Sequence, residues 1–141
     1  MCCVLVDLME DKRVRVIHFE DTPIKHRAIR NVLEECRVTD IDCVRNLEDG
    51  LEMYRKALLT DQPYDLIVTD MWYPPAQGKR EDRCGDKLIN IALSEKWKTP
   101  IIICSNQNYD YPEIFGSLYY SENEDWEGKL RNYISELKKQ K

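Results

Sequence analysis

Residues 65–74 read Asp-Leu-Ile-Val-Thr-Asp-Met-Trp-Tyr-Pro, an apolar run that stops on the carboxylate of Asp70 and breaks at proline. Two other apolar runs stop in the same way. Residues 14–19 are followed by Glu20 and Asp21, and residues 100–104 by Ser105. In an open parallel sheet the carboxyl ends of the strands share one edge, where ligands bind, so these groups converge if the runs are parallel strands. Three carboxylates placed together repel one another and raise the pKa of at least one unless a cation sits among them. A hard divalent ion such as Mg²⁺ suits an all-oxygen set, with two carboxylates, a backbone carbonyl and a phosphoryl oxygen around it and water completing the shell. In such a site Asp70 can act as a nucleophile on phosphorus, forming an acyl phosphate, while Ser105 hydrogen-bonds a phosphoryl oxygen. Each residue also has a plainer reading. Asp70 can simply begin a polar turn, Glu20 and Asp21 can stabilise the start of a helix by about 1 kcal/mol or less, and Ser105 can cap a turn.

The elements that must position these groups alternate. A strand over residues 14–19 precedes Thr22, a predicted N-cap, and Pro23 at a first helical position, where its missing N–H costs nothing. Ala28, Ile29, Val32, Leu33 and Cys36 then repeat at helical spacing. A weak strand over 41–44 leads to a second helix with Leu47, Leu51, Tyr54, Ala57 and Leu58 inward. The strand carrying Asp70 follows, rich in β-branched residues and without alternation, as a strand covered on both faces requires. A charged loop over 74–85 opens into a third helix with Leu88, Ile89, Ala92, Leu93 and Trp97 inward. After the strand at 100–105, residues 106–115 have turn chemistry and little helical periodicity, so a loop or a single helical turn is expected there in place of a full helix. A short strand over 117–120 and an amphipathic helix over 126–137 complete the chain, with Ser121 and Glu124 spaced as a capping box. Helices alternating with strands predict an α/β fold with a parallel sheet and helices on both faces. Residues 3–8 form a possible extra strand within an N-terminal extension, 1–13, ahead of the domain at 14–141.

With 141 residues, 43% hydrophobic and 33% charged, the chain suits one globular domain. A net charge of −5 counts against a nucleic-acid surface and an anionic membrane face. The six cysteines include no Cys-x-x-Cys pair and read as reduced thiols of a cytoplasmic protein. There is no basic n-region and no apolar stretch of the ~18 residues a membrane span needs. His18 reads as a core histidine and His26 as an exposed one.

The ordered set of Glu20-Asp21 with Thr22-Pro23, Asp49-Gly50 at a helix start, Asp70 with Pro74, and Pro100 to Ser105 resembles the receiver domain of two-component response regulators. The resemblance covers roughly residues 14–137. It implies a flavodoxin-like sheet of order 2-1-3-4-5, phosphorylation on Asp70, Mg²⁺ held by Glu20, Asp21 and Asp70 with the backbone carbonyl of Trp72, and a phosphoryl contact from Ser105. It further implies a histidine kinase or phosphotransfer protein upstream and an unidentified protein effector downstream, with no nucleic acid and no membrane. The chain departs from the family at the end of the fifth strand, where the family's Lys gives way to Tyr119-Tyr120-Ser121-Glu122, and its fourth helix is reduced. A substitute cation is expected from the loop, at Lys79, Arg80 or Arg83. The expected function is a stand-alone, atypical receiver in a phosphorelay, not a turnover enzyme; the alternative is a degenerate pseudo-receiver that serves as a protein-interaction module. A phosphatase of the haloacid dehalogenase type would place a second Asp where Trp72 stands.

Overall fold

The computed structural model describes residues 13–141. The extra strand expected at 3–8 lies outside the described residues, as does nearly all of the 1–13 extension. Arg15–Phe19 forms β1, Pro23–Glu35 α1, Asp40–Val44 β2, Leu47–Leu58 α2 and Leu66–Thr69 β3; Cys84–Ser94 forms α3, Ile101–Ser105 β4, Gly116–Tyr119 β5 and Trp126–Gln140 α4. The five strands make one sheet in the order β2-β1-β3-β4-β5, with every neighbouring pair parallel. This is the flavodoxin-like arrangement expected from the sequence.

Both faces of the sheet are covered. Ile17, Phe19, Ile67, Ile101 and Ile103 point to one side, where Leu47 and Tyr54 of α2 and Leu88 and Ile89 of α3 close over them. Val16, Val68, Ile102 and Cys104 point to the other, against Ile29 and Leu33 of α1 and Leu130 and Ile134 of α4. Alternate residues therefore feed two cores, which is why the central strands carry no polar alternation. Each such aliphatic side chain contributes about 1.5–3 kcal/mol on burial. The helical stripes are narrower than the sequence suggests. Leu58 and Leu93, at the ends of α2 and α3, are each 47% exposed.

Between β4 and β5 the chain runs through 106–115 without a helix, and Tyr109, Tyr111 and Ile114 from this segment pack on the core that α2 and α3 cover. The Tyr111 hydroxyl donates to Asp86 Oδ1 of α3 at 2.7 Å. At α4 the cap differs from the expected one. Asp125 is the N-cap and accepts from Gly128 N at 3.0 Å, while Ser121 Oγ accepts from Asn123 N within the preceding turn. Asp125 wins because the turn at 121–124 is completed before the helix begins.

The segment after β3 is fixed at two points. Tyr73 and Asp82 form an antiparallel bridge that pinches off residues 74–81. The carbonyls of Pro74 and Pro75 accept from Leu47 N at 3.0 Å and Glu48 N at 2.9 Å, filling donors at the start of α2 that no turn of helix can satisfy. Gly85, in the first turn of α3, then passes so close to this segment that an added Cβ would stand 2.3 Å from the Asp70 carbonyl oxygen and 2.8 Å from Met71 Cα. Because those neighbours are backbone, Gly85→Ala forces α3 away from the strand end. The expected loss is about 1–3 kcal/mol, read as a lower denaturant midpoint with an unchanged m-value.

Candidate functional site

The parallel register sets Phe19 beside Thr69, so the residues that follow, Glu20 and Asp70, leave adjacent strands together. Asp70 N donates to Phe19 O at 3.0 Å and Glu20 N to Val44 O at 2.9 Å, which carries the sheet's hydrogen bonding to the very edge. Glu20, Asp21 and Asp70 each bring a carboxylate oxygen within 4.8 Å of the others. Glu20 is 1% exposed; Asp21 and Asp70 are half-buried.

The cation beside them comes from α1, not from the loop. Lys25 is 8% exposed, and its ammonium donates to the Cys104 carbonyl at 2.7 Å. The same nitrogen lies 3.1 Å from Glu20 Oε1 and 3.2 Å from Asp70 Oδ1. Glu20 Oε1 has no hydrogen bond: the ammonium holds it by charge, outside hydrogen-bonding alignment. The ring of Tyr120, just past β5, has its centre 5.4 Å from the ammonium. Lys79 and Arg80 are exposed, and Arg83 lies over Trp72 and Tyr109 at 5.8 and 5.9 Å from the ring centres.

These contacts set the protonation states. Burial disfavours the ammonium of Lys25, but the charges of Glu20 and Asp70 outweigh it and the pKa is raised, so Lys25 keeps its proton. Burial pushes Glu20 up to about 7; the charge of Asp70 adds to this and Lys25 opposes it. Glu20 is therefore the member of the pair that titrates near neutrality.

Asp70 Oδ1 is doubly engaged, accepting from Met71 N at 2.7 Å as well as facing Lys25. Neither contact involves Oδ2. The backbone beneath is braced by Thr69, whose hydroxyl donates to the Asp70 carbonyl at 2.8 Å and meets the Tyr73 hydroxyl at 2.9 Å. Ser105 is buried at the end of β4, where its Oγ accepts from Gln107 N at 3.5 Å and its carbonyl accepts from Tyr120 N at 2.7 Å. The first of these bonds is the turn-capping role open to it from the sequence. Trp72 sits at the rim, 38% exposed, its indole N–H donating to the Tyr109 hydroxyl at 3.3 Å.

Two participants escaped the sequence reading. Glu81, exposed in the 74–81 excursion, reaches Asp21; its pKa is raised by partial desolvation, then by the charge of Asp21, a hydrogen bond to it, and Asp70. Lys25 had a signal. It is the third residue of the helix, two after Pro23 and in the first turn, where a cation opposes the helix dipole and is disfavoured without an offsetting role. His26 also departs from expectation: it is half-buried, with its Nδ1 2.8 Å from His18 Nδ1.

The donor set fits a hard cation. It is all oxygen, it carries more negative charge than Lys25 cancels, and it includes a buried carboxylate oxygen with no hydrogen bond. Glu20, Asp21 and Asp70 are the side chains that would hold it.

No protein-family model and no curated protein matches the chain. Solved structures do match. A receiver domain of a putative LuxO repressor from Vibrio parahaemolyticus superposes with a TM-score of 0.68 at 16% identity, over 92% of each chain. The chemotaxis response regulator CheY4 of Vibrio cholerae gives 0.63 at 14% identity, over 87% of this chain and 99% of its own. A mutant of the anti-anti-sigma factor PhyR from Bartonella quintana gives 0.65 at 15% identity, over 98% of this chain. This chain spans about half the length of that PhyR chain, 53%. At these identities the likeness is one of fold: the chain has the fold of a response-regulator receiver domain.

The raised pKa of Glu20 has a measurable consequence. The folded state holds a proton on Glu20 that the unfolded chain releases near 4.5, so this contribution to stability is complete below that pH and is lost as pH rises to about 7. Glu20→Gln removes it. Denaturant melts at pH 4.5 and pH 8 are expected to show the variant gaining on the wild type by on the order of 2 kcal/mol over that interval.

Proposed function

We propose that the chain is an atypical receiver domain of a phosphorelay, accepting a phosphoryl group on Asp70. The observation that supports this most is the placement of Asp70: a half-buried carboxylate at the carboxyl edge of a parallel sheet, one oxygen fixed by Met71 N–H and Lys25 and the other engaged by neither, with Glu20 and Asp21 alongside. In the transfer, Oδ2 of Asp70 attacks the phosphorus of the donor. The new O–P bond forms as the donor's P–N or P–O bond breaks, and the leaving group departs with the electron pair. The donor is a phosphohistidine of a histidine kinase or phosphotransfer protein, or a small acyl phosphate. Bound to the carboxylates, Mg²⁺ would supply positive charge against the transferred group. The residues' own part is to fix Oδ1, to hold the strand end through Thr69 and Tyr73, and to set a cation beside the new negative charge. Ser105 Oγ accepts from Gln107 N through a lone pair, which leaves its hydroxyl proton to donate to a phosphoryl oxygen. The transfer occurs once per modification cycle, so the chain is a signalling acceptor rather than a turnover enzyme, and its output is to a protein effector.

The second reading, a pseudo-receiver that works by docking alone, draws support from the same lysine, since Lys25 already neutralises part of the acidic cluster. Acetyl phosphate with Mg²⁺ separates the two. Intact-mass measurement is expected to show the gain of one phosphoryl group by the wild type and none by Asp70→Asn; a wild type that gains nothing, with or without a phosphotransfer partner, leaves the docking module standing.

A further inference from the structure

We infer that Lys25 is the phosphoryl-binding cation of this site, and that it exchanges partners when Asp70 is modified, leaving Glu20 for the phosphoryl group. On the phosphoacceptor reading of Asp70, on which this rests, the transfer turns a singly charged carboxylate into an acyl phosphate carrying up to two negative charges within a few ångströms of the Lys25 ammonium. That ammonium is buried, 3.2 Å from Oδ1, and tethered by a 2.7 Å bond to the Cys104 carbonyl. Its links to Glu20 and Asp70 are both ion pairs, at 3.1 and 3.2 Å, and the Glu20 oxygen it faces has no hydrogen bond, so only the Cys104 tether is an aligned bond. An ammonium has three donors. Kept on the Cys104 carbonyl, it can pivot from Glu20 toward a phosphoryl oxygen without losing its anchor, trading an unaligned contact for a charge-assisted hydrogen bond to a more highly charged group.

The loop cations do not compete for this role in the structure, since Arg83 is spread over Trp72 and Tyr109 and Lys79 and Arg80 face solvent. The place from which a β5 cation would enter is filled by Tyr120, whose ring faces Lys25 at 5.4 Å. Lys25 and residue 120 thus converge on one point from opposite elements. The pivot also connects modification to structure, because Lys25 belongs to the first turn of α1 and Tyr120 packs against Trp126 of α4 with tilted rings whose centres are 5.0 Å apart.

Beryllofluoride, a phosphoryl mimic, tests this in Mg²⁺ buffer by ¹⁹F NMR, alongside the Lys25 ammonium ¹⁵N resonance of the wild-type chain. Lys25→Gln is expected to weaken beryllofluoride binding by about tenfold to hundredfold, the range for losing one hydrogen bond from a charged donor. Adding Tyr120→Lys to that variant is expected to recover most of the loss, since the new ammonium approaches the same point. In the wild type the Lys25 ¹⁵N signal should shift as beryllofluoride saturates, a reading that holds even if Lys25→Gln fails to fold. Beryllofluoride bound equally by wild type and Lys25→Gln, or bound with the Lys25 signal unmoved, overturns the role of Lys25 and leaves the phosphoacceptor reading intact. A wild type that binds no beryllofluoride and takes no phosphoryl group from acetyl phosphate overturns both.

Discussion

The ammonium of Lys25, held by the Cys104 carbonyl between Glu20 and Asp70, is the contact on which the strand edge depends. Glu20 and Asp70 leave adjacent strands side by side, and without a cation their charges would drive one of them to take up a proton or push the edge apart. Lys25 relieves this from a third direction, reaching down from α1 and bonding to β4. One side chain therefore links α1, β1, β3 and β4 at the point where the sheet stops and chemistry can start. The position is costly for the helix, because a cation in the first turn opposes the backbone dipole, and the carboxylates below it supply the compensation.

Around that contact the scaffold is arranged to hold rather than to bend. Thr69, Tyr73 and the Met71 amide fix the backbone and one oxygen of Asp70, and Gly85 lets α3 press directly on the same segment. The opposite edge is built otherwise. Where a helix would ordinarily join β4 to β5, aromatic side chains from 106–115 are pinned individually, Tyr111 to Asp86 and Tyr109 to Trp72. The surface beyond Asp70 is thus an aromatic, hydrogen-bonded patch in contact with the rim of the site.

Much of this was legible in the sequence, because the strongest signals were local. Apolar runs ending on Glu20-Asp21, on Asp70 and on Ser105 marked three of the strands and the edge at which their ends meet, and the turn chemistry of 106–115 pointed to the missing helix. What could not be read depended on rotation and reach. Lys25 sits one residue after exposed Ile24 and one before half-buried His26, so a helical wheel with a slightly different phase puts it in solvent. Glu81 approaches Asp21 only because the Tyr73–Asp82 bridge folds its loop back over the edge. Asp125 takes the cap from Ser121 because the preceding turn closes first. Each is a long-range or phase-dependent outcome that periodicity does not encode.

The two prolines after Asp70 tie the site to α2 through the backbone. The carbonyls of Pro74 and Pro75 accept from the amides of Leu47 and Glu48, and the proline rings restrict φ along this stretch. Displacing the chain beyond β3 must either carry the start of α2 with it or open two backbone hydrogen bonds. The amide protons of Leu47 and Glu48, on a different helix from Lys25, therefore belong to the same cooperative unit as the Asp70 segment. Their exchange with solvent measures how firmly that segment is seated.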